Sequence, residues 1–317
     1  MRVDLISAAR FLAVSATIAA LTSCGGGGGG GGPAAPVATV QLTASNAQNV
    51  AGDVLLASVQ TPRRNGLFLP ADALGSAPPR THVLSRFVAD EIARLTRLNQ
   101  SRSALAVQTV PCTSGDITVV SDAASISETF NACAEGGLTI NGSITISGFT
   151  STPSSFSASV SVNLTFSATG FADQTFTGNF TISETGIGSN LVTITISGMD
   201  LVLHQGTDTQ HLANFTFSTT IDISTSGTTD SVSFAFSSAD IGGTVTVTTL
   251  TPFQTTPGRK FPHTGAIQIT GVNGSTIRVT VNGDETGSNP QVTIQLDANG
   301  DGVFEVTLNK NWSDLTV

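Results

Sequence analysis

The sequence predicts a mainly β protein, a long antiparallel meander forming a curved sheet or open barrel, with one or two N-terminal helices covering its apolar face. Three observations carry this. From Leu138 onward apolar side chains alternate with Ser, Thr and Asn, the period of a strand with one buried and one solvated face. Only 11% of residues are charged, while Thr, Val, Ile and Phe are abundant, a mixture that suits a pleated surface better than a helix. The chain has 317 residues, 39% of them hydrophobic, which is enough to bury a substantial core.

The elements begin with a targeting segment. Arg2 and Arg10 flank a basic start, and "FLAVSATIAAL" from Phe11 is a small, apolar run too short to span a bilayer, the layout of a secretory signal. It ends in "LTSC", which resembles the lipobox of bacterial lipoproteins. That resemblance implies that residues 1–23 are a signal peptide and that Cys24 becomes the first mature residue and carries lipid such as palmitate. Gly25 in place of Asp after the cysteine implies sorting to the outer membrane, so the expected address is the bacterial cell envelope, with outer-membrane lipid bound through the anchor. Two or more acyl chains, each buried methylene adding about 0.8 kcal/mol, hold a protein essentially permanently.

Eight consecutive glycines follow, Gly25 to Gly32. They match a G-x-G-x-x-G fingerprint trivially, with no strand before and no helix after, so no dinucleotide site is implied. Residues 24–37 read as the lipidated cysteine and a flexible tether, stiffened by Pro33 and Pro36, with a coil reach of about 20 Å. Beyond Cys24 only Cys112 and Cys133 remain, and an even pair in an exported chain reads as a disulfide. Without C-x-x-C spacing or neighbouring cations, the pair is a staple rather than a redox centre.

Residues 38–109 read as helix and loop. Ala47, Val50, Ala51, Val54 and Leu55 fall at helical spacing, with Ser45 as a cap and Gly52 as a weak point. Residues 60–80 are broken by Pro and Gly. Over residues 82–99, Leu84, Phe87, Val88, Ile92, Leu95 and Leu98 form one stripe, predicting an amphipathic helix that lies against the concave side of the sheet.

Residues 110–260 read as the antiparallel β region and 261–317 as C-terminal hairpins of the same domain. In "SSFSASVSVNLTFSATGF", Phe156, Ala158, Val160, Val162, Leu164 and Phe166 share one face. Phe176, Gly178, Phe180 and Ile182 continue inward, then Val192, Ile194 and Ile196. The phase slips at Gly198 before Met199, Leu201 and Leu203, as a β-bulge produces. Asn273-Gly274 joins two of the last strands as a two-residue hairpin. A transmembrane barrel alternates similarly but carries aromatic girdles, and this chain has no Tyr and one Trp.

Candidate sites are few. In "LDANGDGVFE", Asp297, Asn299 and Asp301 sit at alternate positions before Gly302, resembling the start of a calcium loop, with Glu305 nearby. Position twelve is Leu308 where an EF-hand has Glu, so the segment reads first as a hairpin turn and second as a calcium site. His204 and His211 lie opposite each other if the intervening turn centres on Thr207 and Asp208, close enough to share a metal, though surface polarity explains them more simply. His82 and His263 have no evident partner. No nucleophile elbow, H-E-x-x-H or phosphate loop is present, and a noncatalytic protein is expected.

Charge narrows the partners. From Val110 onward four cations face seventeen carboxylates, net −13, which disfavours nucleic acid. The stretches "CTSGDITVVSDAASISETFNACAEGGLTINGSITI" and "FPHTGAIQITGVNGSTIRVTV" also resemble segments of β-rich outer-membrane lipoproteins without an assigned activity, which implies export, the Cys112 to Cys133 bridge and a β fold. Two roles are expected: an envelope module that builds structure or binds a protein partner through an acidic Ser/Thr-rich face, or a carrier of an apolar ligand such as an acyl chain. For the carrier, the lining would be Phe156, Phe166, Phe176, Phe180, Phe215 and Phe217.

Overall fold

The structure, a computed structural model, describes residues 37–58 and 106–315, apart from 123, 136–137, 170–171, 206–207 and 260. Cys24, the tether and the expected helix at 82–99 lie outside the described residues. Fourteen strands follow one another in a single sheet. They are β1 (Ala106–Pro111), β2 (Ser114–Ser121), β3 (Ser125–Glu135), β4 (Leu138–Thr152), β5 (Ser155–Ala168), β6 (Gln174–Thr185) and β7 (Leu191–Gln205). Then come β8 (Asp208–Asp222), β9 (Thr228–Ser238), β10 (Gly243–Thr255), β11 (Thr264–Thr270), β12 (Thr276–Val281), β13 (Val292–Asp297) and β14 (Val306–Lys310). Each pairs antiparallel with its chain neighbours, and the meander does not close.

The two-residue period decides which side of the sheet is apolar. Along β5 every inward position from Phe156 to Phe166 is buried, and the register aligns Val160 with Ile146 on β4 and Phe180 on β6, so the apolar rows run unbroken across strands. The alternation begins earlier than Leu138. β2 buries Ile117 and Val119, and β3 buries Ile126 and Phe130, within the 110–260 β region but ahead of the point from which the alternation is read.

The slip at Gly198 is a bulge: the register between β6 and β7 shifts between Asn179 and Phe180. A Cβ on Gly198 would lie 2.6 Å from the Phe215 ring, 2.8 Å from the Asn179 carbonyl and 2.9 Å from Phe180 Cβ. Absence of a side chain there lets Phe180 and Phe215 meet edge to face, centroids 6.5 Å apart. Leu201 and Leu203 return to the core, whereas Met199 is pushed out and is 52% exposed. Asn273 and Gly274 turn between β11 and β12 with φ of 56° and 77°, as the Asn-Gly signal requires.

α1 (Ala47–Ser58) rests on β9 and β11–β13, and Ala47, Val50, Ala51, Val54 and Leu55 are all fully buried. Its entry differs from expectation. Ser45 pairs with the Thr43 hydroxyl, and Asn46 supplies the first helical carbonyl, to Val50, while its side chain ties back to Thr43 N–H and the Gln41 carbonyl. Ahead of the helix, Thr39 and Val40 donate to the Thr244 carbonyl, and Val272 donates to Val40. The segment leading into α1 is therefore sewn to β10 and to the β11–β12 turn.

A disulfide joins Cys112 to Cys133, Cα atoms 5.4 Å apart, across the β2–β3 hairpin. At the opposite end Trp312 is buried, stacks on Phe261 with centroids 4.3 Å apart and donates its ring N–H to the Gly283 carbonyl. No described helix is long and apolar enough to cross a membrane.

Candidate functional site

The segment from Asp297 to Glu305 is the β13–β14 connection. Asp297 ends β13 and is 3% exposed, because its two carboxylate oxygens turn inward to accept the N–H groups of Gly300 at 2.7 Å and Gly302 at 2.8 Å. Asn299 Oδ1 accepts the Asp301 N–H, Asp301 Oδ1 accepts the Val303 N–H, and Glu305 Oε2 reaches back to the Ala298 N–H at 2.9 Å. Gln41 Nε2 donates to the Ala298 carbonyl and accepts at Oε1 from Asn273, which fixes the loop to the approach of α1 and to the β11–β12 turn.

This geometry brings together what the alternate spacing predicted. One oxygen each of Asp297, Asp301 and Glu305 lie within 4.8 Å of one another, with Asn299 bonded to Asp301 at 3.1 Å. Three hard oxygen donors around one point suit calcium rather than a soft metal. The same oxygens also complete the turn by accepting backbone N–H groups, as a hairpin without an ion requires.

The histidines are arranged differently from expectation. β7 and β8 pair His204 with Thr209 and Val202 with His211, so the two histidines share a face but are offset by two residues along the strands. His204 Nδ1 bonds the Thr209 hydroxyl at 2.9 Å, and His211 Nε2 bonds Asp200. Ser237 on β9 sits opposite His211. Ser237 and His211 thus share a row, with Asp200 diagonal to His211 on β7, and the side chains of Asp200 and His211 are 59% and 40% exposed on an open sheet face. His263, expected to be without partner, bonds Thr256 at 3.2 Å and lies near Asp284.

Two acidic side chains on the inward phase were not singled out from the sequence. Glu128 is fully buried between Ile126 and Phe130, and Asp230, 4% exposed, is in phase with Val232 and Phe234. Counting phase along "SISETF" and "TTDSVSF" finds both. Burial pushes the Asp230 carboxyl up from 3.8 to about 6, against hydrogen bonds from the Thr219 hydroxyl at 2.7 Å and Thr228 at 3.4 Å that lower it. By contrast Asp122, Asp222 and Asp284 sit in turns, where hydroxyls and N–H groups of the next residues hold each carboxyl below its usual range, with Arg259 beside Asp284 acting the same way.

No family model, curated protein or solved structure matches the chain.

Proposed function

We propose that the chain is an exported envelope protein, lipid-anchored at Cys24 to the outer membrane, whose β sheet has a noncatalytic structural or binding role. The observation that supports it is the Cys112–Cys133 disulfide. An oxidised pair belongs to an extracytoplasmic compartment, and its formation leaves Cys24, beside the octaglycine, as the remaining cysteine of three. The exposed setting of the Asp200–His211 pair favours a noncatalytic role. Against the apolar-carrier alternative, the inward phenylalanines pack on each other: Phe215 lies 5.8 Å from Phe217, and Phe217 lies 5.6 Å from Phe234. Filling of this kind supports a core rather than a lumen. The test is metabolic labelling of the full chain with a clickable palmitate in a lipoprotein-processing bacterium. A labelled, membrane-fractionating protein is expected, with label lost in Cys24→Ala; an unlabelled soluble wild-type chain overturns the proposal.

A second reading, calcium at Asp297, Asn299, Asp301 and Glu305, is favoured by the three converging carboxylates. Calcium at about a hundred times its Kd would add about 3 kcal/mol to stability. Melting of the full chain with calcium and with a chelator tests it. A higher Tm with calcium is expected, abolished by Asp301→Ala, and equal melting in both conditions removes the reading.

A further inference from the structure

The end of β3 sits in a register that its own sequence does not favour. Up to Asn131 the strand follows one ladder, with Asn131 opposite Asp116 on β2 and Phe130 opposite Gly142 on β4. Beyond that point both ladders shift by one residue, so that Cys133 pairs with Ile140 and Ala134 pairs with Ser114 and Thr139. Ala132 is the extra residue of this bulge. It is exposed, its N–H donates to Asn141 Oδ1 at 2.9 Å, and its φ of 48° lies in the left-handed region that a Cβ disfavours. Gly115 makes room for it: a Cβ there would lie 2.2 Å from the Asn131 carbonyl oxygen and 2.3 Å from that of Ala132.

The bulge decides where the sulfur points. Ile126 and Phe130 are buried on the even phase of β3, which, continued, would carry Ala132 and Ala134 inward and Cys133 outward. The extra residue reverses this and leaves Cys133 2% exposed and bonded to Cys112. The sequence accepts either phase. Straightening the strand would exchange a buried cysteine for two alanines and take Ala132 off its positive φ. It would also lengthen the β3–β4 connection from the two residues between Glu135 and Leu138 to the three of Glu135, Gly136 and Gly137, and hairpins use both lengths.

We propose that the Cys112–Cys133 bond is the latch of a redox-sensitive register switch: on reduction by a dithiol, Asn131 to Glu135 slide by one residue, the bulge is lost and the Cys133 thiol turns to the outward face. A thiolate of the dithiol attacks the sulfur of Cys112, the half-buried partner, forming a mixed disulfide. The Cys112–Cys133 bond breaks, and Cys133 leaves as a thiolate that takes a proton. The second thiol of the reductant then displaces Cys112, which is protonated in turn, so one dithiol becomes a disulfide while the protein gains two thiols. With the bond closed, Cys133 must keep the inward phase to reach Cys112, and the shifted ladder is held. With it open, both the backbone preference of Ala132 and the even phase of β3 favour the straight strand. The switch does not depend on whether Cys24 carries lipid.

The experiment uses the full chain carrying Cys24→Ser, so that Cys112 and Cys133 are its only cysteines. It is reduced with dithiothreitol under native conditions, pulsed with N-ethylmaleimide and mapped by peptide mass spectrometry, with far-UV circular dichroism reporting the sheet. In the reduced, folded chain Cys133 is expected to label as readily as Cys112. Ala132→Lys places its charge in water in the bulged register and in the core in the straight one, so labelling of Cys133 should fall about tenfold or more while that of Cys112 is unchanged. Simple fraying of the β3–β4 hairpin would be indifferent to that lysine. Ala132→Gly, suited to the positive φ, removes the conformational cost of the bulge and should slow Cys133 labelling about fivefold; it carries the test if the lysine variant does not fold. A reduced chain that loses its sheet, a folded one in which Cys133 stays unlabelled, or a Cys133 rate that neither variant lowers overturns the proposal.

Discussion

Asp230 is a carboxyl group placed in an apolar row, opposite Thr219 on β8 and Phe253 on β10. Its raised value makes the folded state the better proton binder between pH 3.8 and about 6. Stability from this group is therefore full below pH 3.8 and falls as pH rises through 6, by on the order of 3 kcal/mol. Asp230→Asn keeps an acceptor for the Thr219 hydroxyl and removes the charge. Urea titrations should show the variant more stable than wild type at pH 7 and the difference gone below pH 4. Gly198 poses the converse problem, a position where nothing can be added. Gly198→Ala brings a methyl against a backbone carbonyl and two phenylalanines, so a loss of about 1–3 kcal/mol is expected in the urea midpoint.

At the scale of elements, α1 is held by its buried stripe and not by its propensity. Gly52 lies in its middle, and a Cβ there would meet only Leu315, at 3.7 Å, an ordinary contact. Gly52→Ala should therefore stabilise the protein by about 1 kcal/mol, read as a raised denaturation midpoint. The β2–β3 hairpin depends on its cross-link in a different way. Closing the loop between Cys112 and Cys133 removes unfolded-chain entropy worth roughly 3 kcal/mol, so the double Ser variant should lose about that amount.

Among the described residues, the main contacts of each strand are with its chain neighbours, and α1 rests mainly on β9 and β11–β13. An open meander of this kind transmits stability from strand to strand, as stacked repeats do, rather than through one closed ring. Reducing the disulfide at the β2–β3 end should therefore shift the unfolding midpoint seen by far-UV circular dichroism more than the midpoint seen by Trp312 fluorescence at the other end. Coincident midpoints would mean that the sheet unfolds as one unit.

What was legible from the chain alone follows from local rules. Period-two alternation identifies the buried face of β5, Asn273-Gly274 identifies its hairpin, and the slip at Gly198 identifies a bulge, because each is set by residues within a few positions. Alternate oxygens identify the Asp297 loop for the same reason. Pairing register is not local. Only the tertiary structure offset His204 from His211 by two residues, joined His211 to Asp200, fixed Gln41 to the Asp297 loop and aligned the outward serines and threonines into rows. The separation of charge is likewise tertiary. A net figure counts carboxylates wherever they lie, whereas folding sets Asp122, Asp222 and Asp284 in turns, Asp230 in the apolar row and Asp200 on the open sheet face.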